Sequence, residues 1–244
     1  MLIPNNIIAN ADDLGYSAAV NKGILYCFDQ GYINSTSLMT NMPFFKEAVD
    51  LIHENPSIHH IGLHIDLGEG KPVTNFAEKE YLDDNGNFDF YKVNRPFNIL
   101  NAASKAAFSK EIDAQINKAL TNNISIDHMD SHCHFHTLPG FYKLFLDAAK
   151  RYKLKVRLAQ TYNEGSYIKY AFRKYINNYI KKNDLNYSDN FETVEHFLKS
   201  THPIPGKNKI TEIMLHPYID DQGLLKDHLD EATLRDWLIF LDSK

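Results

Sequence analysis

The stretch from His128 to His136 reads His-Met-Asp-Ser-His-Cys-His-Phe-His and holds four of the chain's twelve histidines. His128, Asp130, His132, His134 and His136 share one parity, so on an extended backbone all five side chains point the same way. Such a polar row cannot be core. It fits a strand that ends by opening into a cleft, because imidazole and carboxylate are the usual ligands of zinc-like ions. The competing reading is a solvated His-rich loop. An expression tag is excluded by position, since the cluster lies mid-chain between Ile124 and Ile126 on one side and a helix-like segment on the other.

Three more polar constellations follow apolar runs. Asp12 and Asp13 follow the run Asn6–Asn10, with Ala11 between. Two adjacent carboxylates repel and need a cation, a proton or open water, unless Asp and Gly15 merely make a turn. His64 and Asp66 alternate with Leu63, Ile65 and Leu67 and lead into Gly68-Glu69-Gly70. His216-Pro217-Tyr218 closes the run Thr211–Leu215. In parallel α/β folds the C-terminal ends of strands gather on one face, so the four constellations can share one cleft. One carboxylate and two imidazoles make a three-ligand metal site with room for water and substrate. A spare carboxylate and a spare histidine are left to move protons, a set suited to metal-assisted hydrolysis.

Elements of the right period are present to carry them. Ser17 caps a helix with a Val20, Ile24, Cys27, Phe28 stripe that stops at Gly31; Cys27 belongs to that stripe as core. A strand is expected over Ile33–Met39 and a helix from Pro43 to Pro56. Further strands are expected over Ile61–Leu67, Ile124–Asp130 and Leu154–Leu158, the last carrying Arg157. Helices are expected around Phe108–Leu120, from Pro139 through Tyr152, over Tyr167–Lys182 (stripe Ile168, Phe172, Ile176, Ile180), over Phe191–Leu198, and over Leu224–Leu241 with Trp237 buried. Residues from Lys71 to about Ala106 show no period and read as an irregular excursion over one mouth of the fold, a candidate lid, with Phe88, Phe90, Tyr91 and Phe97 giving it some packing. Alternation of short strands with helices predicts a mainly parallel α/β sheet or barrel.

With 244 residues the chain suits one large α/β domain. Its net charge of −5 offers no basic nucleic-acid footprint. Two cysteines point to a reducing compartment. No basic leader with an apolar stretch and no bilayer-length apolar run is visible, so a cytoplasmic protein without membrane partners is expected.

Asn10-Ala-Asp-Asp-Leu-Gly15, Ser37-Leu-Met with Asn41, Gly62-Leu-His-Ile-Asp-Leu67 leading to Lys71-Pro72, Asp130-Ser-His-Cys-His-Phe-His136 before Pro139, and His216-Pro217 occur in that order. Together they resemble the YdjC-like family, the chitooligosaccharide (ChbG-type) carbohydrate deacetylases, from the first strand to about Tyr218. The resemblance implies a distorted (β/α) barrel related to polysaccharide deacetylases, in a single domain spanning 1–244. It implies one divalent metal ion, Zn²⁺ or Mg²⁺, on Asp13, His64 and His132. Two imidazoles suit Zn²⁺ better, while members of the family are often described with Mg²⁺. It implies Asp12 as general base and His216 as acid beside the leaving amine. Arg157 would contact substrate or orient a carboxylate, His134 and His136 would support the site or touch sugar, and His128 would be a structural hydrogen-bonding partner. Two departures stand out. Tyr218 occupies the position after His-Pro where the family often has glycine, which places Tyr218 among the substrate contacts in question. The chain also ends before the family's usual last helix and strand, which leaves room for an open barrel, a truncation or a capping partner subunit such as a homodimer. The implied substrate is a small N-acetylated oligosaccharide. A metal-dependent phosphoesterase and a non-catalytic sugar- or metal-binding relative are the alternatives; the Asp-Asp pair, where a phosphoesterase would need His-x-His, counts against the first.

Overall fold

The computed structural model describes residues 3–95, 99–163, 165–199 and 209–243. Pro96 and Phe97 of the excursion lie outside them. In chain order the elements are β1 (Ile7–Leu14), α1 (Ala18–Gln30), β2 (Ser35–Leu38), α2 (Phe45–Glu54), β3 (Ile61–Ile65), α3 (Phe90–Val93), α4 (Ala102–Thr121), β4 (His128–Ser131), α5 (Tyr142–Tyr152), β5 (Lys155–Val156), α6 (Tyr167–Lys182), β6 (Asn190–Thr193), α7 (Val194–Lys199), β7 (Thr211–Leu215), β8 (Pro217–Ile219), β9 (Leu225–Asp227) and α8 (Glu231–Asp242).

Seven strands form one sheet in the order β5-β4-β3-β2-β1-β7-β6, and every neighbouring pair is parallel. In a flat sheet, five steps of about 4.8 Å would hold β5 and β7 roughly 24 Å apart. Yet Arg157, the residue after β5, donates from Nε to Glu212 Oε1 of β7 at 2.6 Å. The sheet therefore curls until its two edges meet. Beyond β5, the Thr161 N–H reaches the Phe191 carbonyl of β6 at 3.0 Å. The expected distorted (β/α) barrel is what forms, with strand ends converging on one mouth.

Helices bury the stripes their periods announced. Val20, Ile24, Cys27 and Phe28 of α1, and Phe108, Ile112 and Ile116 of α4, are all buried. Ser17 accepts from the Val20 N–H, and Gly31 closes α1 in the left-handed conformation. Trp237 is fully buried, its Nε1–H donating to the Tyr32 carbonyl at 2.8 Å.

Three expectations are corrected. Phe191–Leu198 is not one helix: Asn190–Thr193 pairs with β7 as an edge strand, and α7 begins at Val194. Leu224 does not start the last helix. Residues 225–227 pair antiparallel with 217–219, and α8 starts after Asp230, whose carboxylate accepts from the Ala232 N–H. On α6, Ile176 and Ile180 are buried but Ile168 is exposed.

The excursion is also more ordered than its composition suggests. Glu111 of α4 accepts from the Val73 N–H, the Thr74 N–H and the Thr74 hydroxyl. Phe76, Tyr81 and Phe88 gather on Phe108 with ring centroids 5.0, 5.0 and 6.2 Å away. None of its described residues lines the cavity at the mouth.

One close approach positions the mouth directly. A Cβ added at Gly23 of α1 would lie 2.5 Å from Tyr218 Cα and 2.9 Å from the Pro217 carbonyl carbon. Only glycine lets α1 pack on β8 at that distance. Gly23→Ala must push β8, with His216 before it, away from α1. We expect a loss of about 1–3 kcal/mol in urea unfolding, with a drop in activity larger than that of Gly31→Ala, a glycine whose added Cβ meets nothing.

Candidate active site

The site begins at the end of β1. Successive strand residues should face opposite ways, but Asp13 has φ 71° and the pairing with β2 shifts register between Ala11 and Leu14. Asp is among the residues that tolerate this left-handed conformation, and a bulge re-aims side chains at strand ends. As a result Asp12 and Asp13, both buried, line the same cavity of about 660 Å³.

His64 enters from β3. Its Nε2 is 3.1 Å from Asp13 Oδ1, and its Nδ1 is 2.8 Å from Asp130 Oδ1 on the neighbouring strand β4. β4 ends at Ser131, and the chain turns into a short 3-10 segment in which Cys133 and His134 have φ 51° and 56°. The single-face row of histidines is therefore corrected: parity holds only as far as Asp130. His132 Nδ1 reaches Asp13 Oδ1 at 3.0 Å, and its Nε2 lies 3.4 Å from Glu69 Oε1. His134 lines the cavity, packing edge-on against Phe191. His136 turns away from the cavity into the interior, where its Nδ1 lies 2.7 Å from Ser131 Oγ and its ring packs on Phe145. Burial pushes His136 down to about 3, and burial followed by the neighbouring His136 pushes His134 well below the usual imidazole value. His128 is buried, bonded to Asp127 and packed against Tyr187.

Arg157 is fully buried, and its contacts are with carboxylates. Its Nη1 and Nη2 donate to both oxygens of Asp12 at 2.7 and 2.6 Å, its Nη2 also reaches Asp130 Oδ2 at 2.7 Å, and its Nε serves Glu212. Burial alone would raise the Asp12 pKa; the Arg157 charge and then His64 hold it below the usual carboxylate range. His216 follows β7 with its Nε2 3.9 Å from Asp12 Oδ2, and its N–H donates to Asp227 Oδ2 at 2.7 Å. Tyr218 also lines the cavity.

Asp13, His64 and His132 each offer one ligand atom, and these atoms lie within 4.8 Å of one another. Burial would lower His64, but Asp130 and then Asp12 carry it up to about 10, and hydrogen bonds from His132 and His64 hold Asp13 well below its ordinary value against its own burial. Ring nitrogens of both imidazoles face Asp13 Oδ1, at 3.1 and 3.0 Å, and Asp130 behind His64 fixes which of its nitrogens faces inward. The donor set fits a divalent cation. The other tight cluster, Asp12, His64 and Asp130, already has its cation in the Arg157 guanidinium.

Sequence reading missed three residues here. Glu69 contacts His132. Tyr16 stacks between His132 and His228, at 6.5 and 6.4 Å. His228 Nε2 faces Asp13 Oδ2 at 3.4 Å. A signal for His228 existed: Asp220-Asp221-Gln222-Gly223 is a turn sequence and Asp230 is a good helix cap, which together mark a hairpin before the helix.

The YdjC-like protein family model matches residues 6–244. The chain is 34% identical to a carbohydrate deacetylase of Thermoanaerobacter pseudethanolicus over 218 residues, covering 88% of this chain and 82% of that protein. It is 28% identical to the carbohydrate deacetylase of Vibrio parahaemolyticus, covering 90% and 80%. Among solved structures, a proposed cellobiose-phosphate cleavage protein from Enterococcus faecalis shares the fold at a TM-score of 0.68 and 22% identity, over 97% of this chain and 88% of that one. Among the described residues no helix is long and apolar enough to cross a membrane. With a family match running from β1 to the last residue, the chain belongs to the YdjC-like family.

Proposed function

We propose that the protein is a divalent-metal-dependent carbohydrate deacetylase that hydrolyses the acetamide of N-acetylglucosamine units in small chitooligosaccharide-type sugars. The observation that carries this reading is the convergence of Asp13, His64 and His132 on one point of a cavity that also presents Asp12 and His216. These three residues would hold the cation, which when bound supplies Lewis acidity for the acetyl carbonyl and for water.

The remaining chemistry belongs to the chain. Asp12, clamped in the ionised form by Arg157, takes the proton from the attacking water. His216, with its Nε2 3.9 Å from Asp12 Oδ2, gives a proton to the departing amine, so acetate and a free amino sugar leave. Val20, Met214, Tyr218 and Leu229 offer apolar surface to sugar faces. Among the described lining residues there is no Lys or Arg, which favours a neutral sugar over a phosphorylated one and speaks against the phosphoesterase alternative. Two unpaired cysteines, Cys27 and Cys133, support a reducing, cytoplasmic setting.

The test is to strip the purified chain with a chelator and assay acetate release from diacetylchitobiose before and after adding Zn²⁺, Mg²⁺, Co²⁺ or Mn²⁺. Removing an interaction worth several kcal/mol should cost about 10³-fold in rate, restored by at least one metal. Turnover that survives stripping would exclude the metal role, and phosphate release from a sugar phosphate in place of acetate release would favour the alternative.

A further inference from the structure

Two of the three groups proposed to hold the cation have a carboxylate behind them. Asp130 lies behind His64 at 2.8 Å and Glu69 behind His132 at 3.4 Å. Asp13 directs Oδ1 at both imidazoles, while its Oδ2 faces His228 Nε2 at 3.4 Å. Resting on the metal-site reading above, we propose that His228 is a positioning residue: it holds Oδ2 of Asp13 so that this carboxylate meets the cation through Oδ1 alone.

The placement of His228 is built by the fold. Its N–H donates to the His216 carbonyl at 3.0 Å. Asp227, buried beside it, accepts the N–H of His216 through Oδ2 and that of Leu229 through Oδ1. One hairpin thus carries two imidazoles to the mouth, with centroids 5.0 Å apart: His216 faces Asp12 and His228 faces Asp13. Tyr16 stacks on the His228 ring with planes 29° apart, limiting its rotation.

A carboxylate on a left-handed residue at a strand end can offer a cation one oxygen or two, and the two arrangements place the ion differently relative to His64 and His132. An imidazole nitrogen set 3.4 Å from Oδ2 disfavours the second option and pre-orients the first. Outer partners of metal ligands commonly set affinity by this means. His228 lies outside the sequence motifs that carry the family resemblance.

The experiment titrates Zn²⁺ into the chelator-stripped full chain against a competing chromogenic chelator, for wild type, His228→Ala, His228→Gln and His64→Ala. His228→Ala should raise the dissociation constant about 10- to 100-fold, while His228→Gln, which keeps a side-chain N–H donor, should stay within a few-fold of wild type. The metal-free unfolding midpoint of His228→Ala should match that of His228→Gln, which separates positioning from a purely structural role. Zn²⁺ affinity in His228→Ala equal to wild type, with His64→Ala impaired, would overturn the positioning role and leave the metal site standing. Wild type and His64→Ala binding Zn²⁺ alike would overturn the metal site, and this inference with it.

Discussion

Asp12→Asn should lower kcat for acetate release by about 10²- to 10⁴-fold, the range that positioned proton transfer supplies, with KM and Zn²⁺ affinity changed little. The argument starts from what Asp12 touches. Arg157 donates to both of its oxygens and Asn10 Nδ2 donates to Oδ1 at 2.8 Å. This leaves Oδ2 with capacity directed toward His216 and the cavity. An amide there has the same shape but cannot take a proton, and its N–H₂ would confront the guanidinium donor to donor. The fold should tolerate the change, because Asp130 and Glu212 still neutralise Arg157. Asp13→Asn should behave differently, losing metal affinity as well as rate. Because Arg157 holds Asp12 below the usual carboxylate range, the base stays ionised through mildly acidic pH. The acid limb of the rate should then fall below about pH 4 as far as Asp12 is concerned. An Asp12→Asn variant that turns over like wild type would remove Asp12 as the base.

Much of this arrangement could be read from the chain. Asp12-Asp13, His64, His132 and His216 each lie at or just past the end of a recognisable strand, and parallel topology leaves those ends nowhere to go but one mouth. The parts that could not be read depend on partners or on backbone signs that sequence does not announce. Strand β4 stops because β3, its partner, runs out: Ile65 pairs with Ser131 and nothing continues. Cys133 and His134 then adopt positive φ without a Gly or Asn to advertise it. Asp13 does the same, which is why two neighbouring carboxylates share a face. Phe191, Val194 and Phe197 have helical spacing, yet Asn190–Thr193 is drawn into the sheet by β7, an ambiguity inherent in short apolar runs. His228 was hidden by reading the last helix seven residues too long, from Leu224 where α8 begins at Glu231. Arg157 was legible as a residue worth watching, but its three partners come from β1, β4 and β7, and only the curl of the sheet brings them together.

That same cluster yields the largest expected stability effect. Arg157→Met should destabilise the fold by about 3–5 kcal/mol near neutral pH, because a fully buried guanidinium is removed and the carboxylates of Asp12, Asp130 and Glu212 stay behind uncompensated. None of the four is solvent-screened, and the loss of contact with the Phe191 ring, 4.8 Å from the guanidinium carbon, is partly replaced by the methionine. Arg157→Lys should fall between, since one ammonium cannot reproduce the fork that serves Glu212 through Nε, and Asp12 and Asp130 through Nη1 and Nη2. The pH dependence separates this account from simple loss of packing. In wild type, burial would raise the Asp130 pKa, but Arg157 and then His64 hold it well below the ordinary value. A depressed carboxylate contributes stability that is present above its unfolded pKa of about 3.9 and is lost as pH falls through the folded value. Without Arg157, burial dominates and the folded pKa values of these carboxylates rise, as Glu212's already does beside the guanidinium. The native state then binds more protons than the unfolded chain, and stability falls as pH rises through those raised values. Urea unfolding of both proteins at pH 5 and pH 8 should therefore show a deficit that shrinks at the lower pH. A deficit independent of pH would mean that the side chain's bulk matters there and its charge does not.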